Sequence, residues 1–240
     1  MQISTSVILI TGASSGIGLS LTRQLLEKGG IVYAFSRRGM PDELKAEFPD
    51  RLLEFKGDVT SYQDMHNCVS MIEQKQGALH FVIANAGIAH FEDLADTQPD
   101  LAASMINTNI MGVYHTIHCS YALLKKTNGP RCVIGIHSIA ATTIFEGASL
   151  YSATKAGTLA MFRSFREEAR KDGISVLDVL PGATHTGIWT KDMLDESGND
   201  MMQSDSIANI IISSLEQGRT TTDSITHIDE LVIRPWKGNL

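Results

Sequence analysis

The sequence predicts an α/β fold: a doubly wound, mainly parallel sheet of seven strands with helices on both faces. Two observations carry that prediction. Short β-branched runs alternate with amphipathic stretches along the whole chain, the pattern produced by a parallel sheet covered by helices. Glycine and proline breakers fall between these units rather than inside them.

Each element has its own reason. Val7 to Ile10 is an apolar run too short for a membrane span or a signal-peptide core, and reads as a buried strand. The next stretch sets Ile17, Leu21 and Leu25 on one helical face and stops at Gly29-Gly30. Ile31 to Phe35 is the second strand, Leu52 to Phe55 the third, Gln63 to Lys75 a helix and Leu79 to Ala84 the fourth strand. A long helical stretch from about Asp100 to Leu124 ends at Asn128-Gly129-Pro130, and Cys132 to Ile136 is the fifth strand. A further helix carries Tyr151 to Arg170. Ile174 to Leu180 is the sixth strand, cut off by Pro181-Gly182; Ser206 to Gln217 reads as helical and Leu231 to Ile233 as the last strand.

A chain of 240 residues, 43 % hydrophobic and 20 % charged, suits one large core, so residues 1–240 are expected to form a single domain. The net charge of −7 gives no electrostatic reason to approach nucleic acid or an anionic membrane, and the expected partner is a small molecule. Cys68, Cys119 and Cys132 are an odd number without CxxC spacing, which favours neither a disulfide framework nor zinc and suits a reducing cytoplasm. No window reaches the ~18 uninterrupted apolar residues of a spanning helix. His115 and His118 are three apart on a helix, but no third ligand at metal spacing follows.

The first chemical site is the turn Thr11-Gly12-Ala13-Ser14-Ser15-Gly16-Ile17-Gly18. Glycine at 12 permits a sharp turn, glycine at 16 lets backbone approach a pyrophosphate, and glycine at 18 allows tight helix-to-strand contact. The helix that follows offers free N–H groups and a positive dipole end to phosphate. The spacing GxxxGxG departs from the general GxGxxG, so its position between a buried strand and an amphipathic helix carries the argument. The second strand ends Phe35-Ser36-Arg37-Arg38. No carboxylate stands there to take a ribose 2′-hydroxyl, while Arg37, beside Arg38, presents a planar donor fork suited to a 2′-phosphate. The expected cofactor is therefore NADP(H), with NAD the alternative. Ser15 is not basic, so the glycine turn itself adds no second phosphate partner.

Further markers follow in order: Asn85-Ala86-Gly87, Asn109-Ile110-Met111-Gly112, Ser138, Tyr151-x-x-x-Lys155, and Pro181-Gly182 followed by Thr186. With them the chain resembles the short-chain dehydrogenase/reductase family over nearly its whole length. The resemblance implies a Rossmann fold, a homodimer or homotetramer built on the two long helices, and interconversion of a carbonyl and a secondary alcohol. A carbonyl oxygen gaining charge needs a proton and hydrogen bonds. Tyr151 is expected as general acid in reduction and base in oxidation. Tyrosine titrates near 10, and an ammonium at Lys155, one helical turn away, would lower that value by favouring the phenolate.

By the same resemblance Lys155 holds the nicotinamide ribose, Ser138 bonds the substrate oxygen, and Asn109 keeps a water-linked proton path to Lys155. Asn107 lacks the glycine three residues on and is the weaker alternative. Gly12, Ser14, Ser15, Gly16, Ile17 and Gly18 are expected to cradle the cofactor, with Ser36, Arg37 and Arg38 at its phosphate and Asp58 and Val59 at its adenine. Asp58 also suits an Asx turn. Asn85, Ala86 and Gly87 pass along the adenosine ribose, and Ala84 stands where the family often has another asparagine, which puts a structural hydrogen bond in doubt. Pro181, Gly182, Thr184 and Thr186 lie in the segment that meets the nicotinamide amide.

The substrate side is read from composition. Residues 187–205 mix Trp189, Met193, Leu194, Met201 and Met202 with acidic residues, as a mobile flap over an apolar-to-amphipathic ligand would. Ile144, Phe145 and Glu146 are expected to form a second wall. His137 reads as a strand filler, and Arg163, Arg166, Arg170 and Lys171 as a solvated or subunit-facing surface. The C-terminal Asp229 to Pro235 lacks the glycine-rich acidic loop of many relatives. A dinucleotide-sensing protein on the same fold is the non-enzymatic alternative, and the intact Asn109, Ser138, Tyr151 and Lys155 set argues against it, since sensing needs no proton donor.

Overall fold

The expected alternation runs through the computed structural model, which describes residues 3–217 and 227–238. In chain order the elements are β1 (Val7–Thr11), α1 (Gly16–Glu27), β2 (Ile31–Ser36), α2 (Asp42–Glu47), β3 (Leu52–Lys56), α3 (Tyr62–Gln76), β4 (Phe81–Ala84), α4 (Pro99–Ile106), α5 (Gly112–Lys126) and β5 (Cys132–Ile136). They continue with α6 (Ser149–Arg170), β6 (Ser175–Pro181), β7 (Thr184–His185), α7 (Lys191–Ser197), β8 (Met202–Gln203), α8 (Ser204–Gln217) and β9 (Glu230–Ile233).

Seven strands make one sheet in the order β3-β2-β1-β4-β5-β6-β9, with every neighbouring pair parallel; β7 and β8 pair separately. Successive side chains of a strand face opposite sides of the sheet. Ile8 and Ile10 of β1 therefore join Leu21 and Leu25 of α1 and Ile207 and Ile211 of α8 in one apolar layer. Val7 and Leu9 join Met65 and Ile72 of α3, Val113 of α5 and Phe162 of α6 in the other. Burial on both faces is why the run reads as continuous rather than alternating. The strand order reverses between β1 and β4, and such a switch opens a crevice at the carboxyl ends of the strands.

Three features depart from expectation. The long helix from Asp100 is interrupted by a π-helical turn at Asn107–Met111, which separates α4 from α5. Helix α2 is too short for periodicity to register, and α7 lies inside the segment expected to be a flap. Among the described residues no helix is long and apolar enough to cross a membrane.

Candidate active site

A cavity of about 730 Å³ runs along the strand ends, from Arg37 and Arg38 at one end to Tyr151, Trp189 and Met193 at the other. The glycine turn forms its floor. Gly12 and Gly16 sit at φ 66° and 54°, in the left-handed region that side chains disfavour. Gly18 is required for a different reason: a Cβ there would lie 2.3 Å from Gly12 O and 2.5 Å from Asn85 Nδ2.

Asn85 is the clamp that this missing side chain admits. Its Nδ2 donates to Thr11 O at 2.9 Å and Gly12 O at 3.2 Å, while Thr11 Oγ1 accepts from the backbone N–H of Asn85 and of Ala86, each at 3.1 Å. Ala84 is buried in β4 and has no side-chain hydrogen-bonding group of its own. Ser15 begins α1 in extended conformation without its side chain capping the first-turn N–H groups. These groups and the two left-handed glycines fit a pyrophosphate.

At the specificity end the two arginines divide. Arg38 Nη2 donates to Ser15 Oγ at 3.1 Å, so a cation does come to the glycine turn, carried by Arg38 rather than by the turn. Arg37, singled out in the sequence, is 72 % exposed in its side chain and lies 4.0 Å from Asp58 Oδ2. Ser36 Oγ bonds the carbonyl of Arg38. Of the two readings of Asp58 the structure shows the Asx turn, which Oδ1 closes on Thr60 N at 2.9 Å, while Oδ2 faces Arg37. Val59 lines the cavity, and its carbonyl holds His115 Nδ1 at 3.0 Å. Among the described residues no His, Cys, Asp and Glu group of three is arranged to hold a metal.

The first turns of α6 carry Tyr151 and Lys155, both buried. Ser138 follows β5 by two residues and accepts from Ala140 N at 3.1 Å as the cap of a 3₁₀ turn over Ile139–Ala141, and its side chain eases the ionisation of Tyr151. Lys155 Nζ donates to Ile136 O at 3.1 Å and lies 5.8 Å from the centre of the Tyr151 ring. The expected lowering of the phenol is not what this environment does. Burial pushes Tyr151 up to about 12, only partly opposed by Ser138, and burial brings Lys155 down to about 8. Desolvation of the phenolate outweighs every other influence on Tyr151 in so enclosed a site.

Asn109 lies within the π-helical turn and is buried, whereas Asn107 is exposed. Asn109 bridges Ile88, accepting from its N at 2.9 Å and donating to its O at 2.8 Å, and donates to Thr154 Oγ1 at 3.0 Å. Gly87 separates it from Lys155: a Cβ at 87 would meet Lys155 Nζ at 3.3 Å and Asn109 Oδ1 at 3.4 Å. Pro181, Gly182, Thr184 and Thr186 line the cavity with Gly12, Ser14, Gly16, Ile17, Asn85, Ala86 and Gly87. Gly18 does not line it and acts from behind.

Sequence reasoning missed Phe91. Its ring stacks on Trp189 at 5.0 Å and 10° and meets Tyr151 edge-on at 5.6 Å and 67°. Trp189 is fixed by Nε1 donating to Thr184 O at 2.8 Å. The one available signal was an aromatic residue soon after the Asn85-Ala86-Gly87 turn. Phe145, Glu146, Ile188 and Met193 continue this wall.

Other expectations are corrected. Ile144 is 98 % exposed and Met201 is buried; Met202 packs on the core and Leu194 lies outside the main cavity. Arg166 is no surface residue: its side chain is 11 % exposed and paired with Asp178. His137 is part of the same buried polar group rather than a filler.

A family model described as short chain dehydrogenase matches residues 6–197. The chain is 29 % identical over 239 residues to the farnesol dehydrogenase of Aedes aegypti, covering 95 % of each. It is 27 % identical over 246 residues to the sepiapterin reductase of Chlorobaculum tepidum, covering 98 % of each. Its fold is similar to that of an alcohol dehydrogenase from Thermococcus sibiricus complexed with 5-hydroxy-NADP, with a TM-score of 0.84 over 99 % of both chains at 23 % identity. It is equally similar to a 3-ketoacyl-(acyl-carrier-protein) reductase from Brucella melitensis complexed with NADH, with a TM-score of 0.84 over 98 % of this chain and 99 % of that one at 19 % identity.

Proposed function

The chain belongs to the short-chain dehydrogenase/reductase family of oxidoreductases, and on that footing we propose that it is an NADP(H)-dependent reductase of an apolar carbonyl compound. The observation that carries the reading is the meeting of Ser138, Tyr151 and Lys155 at one point of a cavity whose far end is cationic. Gly12, Gly16 and the start of α1 would hold the pyrophosphate, and Arg38 with Ser15 the 2′-phosphate. Arg37 is the lesser contributor, since it shares its charge with Asp58. Asn85, Ala86 and Gly87, with Asp58 and Val59, would border the adenosine, and Pro181, Gly182, Thr184 and Thr186 the nicotinamide amide.

Bound there, NADPH supplies the hydride. Tyr151, held near 12 by burial, carries its proton at neutral pH, which is the state a proton donor to the carbonyl oxygen needs. Ser138 orients that oxygen. Lys155 remains mostly an ammonium at pH 7 and offsets negative charge left on Tyr151. Asn109 holds the backbone of Ile88 and, through Thr154, the turn of α6 that bears Tyr151.

The Phe91–Trp189 wall supports a substrate with an apolar body, because its polar features near Tyr151 are few and Glu146 would repel an anion. Residues 187–205, including α7, act as the lid. The same proposal extends to a homodimer or homotetramer on the α4–α5 and α6 side, where Ile106, Met111 and Tyr114 are exposed. Among the described residues no disulfide joins Cys68, Cys119 and Cys132. The test is NADPH oxidation by the purified protein with ketones, aldehydes and 3-oxoacyl thioesters, each also tried with NADH. Turnover of neutral apolar carbonyls with a lower KM for NADPH than for NADH is expected; equal use of both cofactors would overturn the NADP(H) assignment.

A further inference from the structure

Beneath this site, between β5, β6 and α6, lies a buried polar group that the proposed chemistry does not use. His137, the residue before Ser138, has its side chain only 2 % exposed. Its Nε2 stands 3.0 Å from Asp178 Oδ1 and its Nδ1 3.1 Å from Thr158 Oγ1. Arg166 Nη2 bonds the other oxygen of Asp178, and the same guanidinium donates to Asp229 O at 2.8 Å and Val176 O at 3.2 Å. The sheet makes room for the imidazole deliberately. Gly135 pairs with Asp178 across the ladder, and a Cβ there would lie 2.5 Å from His137 Nε2 and 2.6 Å from Phe162 Cε1.

The partners fix the protonation. An ionised Asp178 only accepts, so Nε2 of His137 carries the hydrogen that faces it. In neutral imidazole Nδ1 then has a lone pair, and the Thr158 hydroxyl must donate to it. Thr158 Oγ1 also lies 3.1 Å from Lys155 O, and its single proton serves one of the two. Neutral His137 therefore draws Thr158 to itself, whereas protonated His137 would turn that hydroxyl onto Lys155. The charged groups facing the ring are Asp178 on β6, Lys155 and Arg166 on α6, and Glu230 on β9. Burial depresses the imidazole, with the Lys155 ammonium adding to it against Asp178, so His137 is neutral at pH 7.

A related arrangement stands a turn earlier on α6. Thr154 donates to Tyr151 O at 2.8 Å and is held by Asn109; Thr158 stands behind Lys155 and is held by His137. We infer that His137, anchored by Asp178 and Arg166, is a positioning residue that fixes Ser138 after β5 and Lys155 on α6. This rests on the function proposed above.

Two measurements keep the inference separate from that function. In ¹⁵N-histidine NMR of the intact protein, His137 is expected as the Nε2–H tautomer, titrating below its ordinary pH and moving upward in Lys155→Met. An Nδ1–H tautomer, or a titration that Lys155→Met leaves in place, overturns the inference whether or not any carbonyl is reduced. In steady-state assays His137→Ala should lower kcat about tenfold with the KM for NADPH within twofold. His137→Gln, which keeps a donor toward Asp178 but cannot gain a charge, should restore most of kcat and remove the acid-side loss of activity expected of the wild type. Wild-type kcat in a folded His137→Ala protein, or an unchanged acid limb in His137→Gln, overturns it. Should His137→Ala not fold, Arg166→Lys takes its place, with the same expected loss of kcat and the same overturning result.

Discussion

The two ends of the cavity are built on opposite principles. The cofactor end is made of backbone: Gly12 and Gly16 bend where side chains cannot follow, and Gly18 leaves space for Asn85 to clamp the turn. Each position admits one residue, so the site is written in the sequence at fixed spacing. The substrate end is made of side chains from three separated segments, with Phe91, Phe145 and Trp189 in contact range of Tyr151 or its rim. Many apolar residues would serve there, and no spacing links them. Strict identity belongs to the part that handles a constant ligand, and freedom of choice to the part that selects a variable one.

Breaking the junction between the ends has the largest expected effect. Tyr151→Phe should reduce turnover by about 10²–10⁴-fold while NADPH affinity, followed by fluorescence titration, stays within about twofold of wild type. Equal turnover in variant and wild type would remove Tyr151 from the chemistry. Next comes the cationic end. Arg38→Ala should raise the KM for NADPH about 10–100-fold, the range for hydrogen bonds to a charged group, with NADH kinetics nearly unmoved. Arg37→Ala should do less, because that side chain is exposed and shared with Asp58. If Arg37→Ala proved the more damaging, the division between the two arginines would be wrong. Trp189→Ala loosens the substrate wall and should raise the KM for an apolar carbonyl about 2–10-fold without changing that for NADPH.

The same contrast explains what could be read in advance. The strands were legible because burial on both faces forces unbroken apolar runs, as in Val7 to Ile10. The Ser138, Tyr151 and Lys155 grouping was legible because it joins a strand end to one helical turn. The protonation of Tyr151 was not, since a spacing shows that an ammonium is near but not how far burial outweighs it. Arg166 and His137 were misread for a related reason. Their partner Asp178 lies on another strand, and a pairing across β5 and β6 has no signature along the chain.

The most subtle effect should emerge only above neutral pH. Lys155 sits at about 8 in the folded protein against an ordinary 10.5, because burial disfavours its charge. Reductive turnover should therefore fall to half its plateau near pH 8. Across the window from about 8 to 10.5 the unfolded chain holds a proton at this position that the folded protein has released. Stability contributed by Lys155 must then rise with pH over that range, and below it the buried ammonium is a constant cost. At about 1.4 kcal/mol per unit, that cost is on the order of 3 kcal/mol. Activity and stability thus move in opposite directions through the same titration, which separates loss of a functional charge from simple unfolding. Lys155→Met should raise the denaturant midpoint at pH 7. A variant less stable than wild type would show that Lys155 is held by favourable contacts rather than kept, against its burial, for its charge.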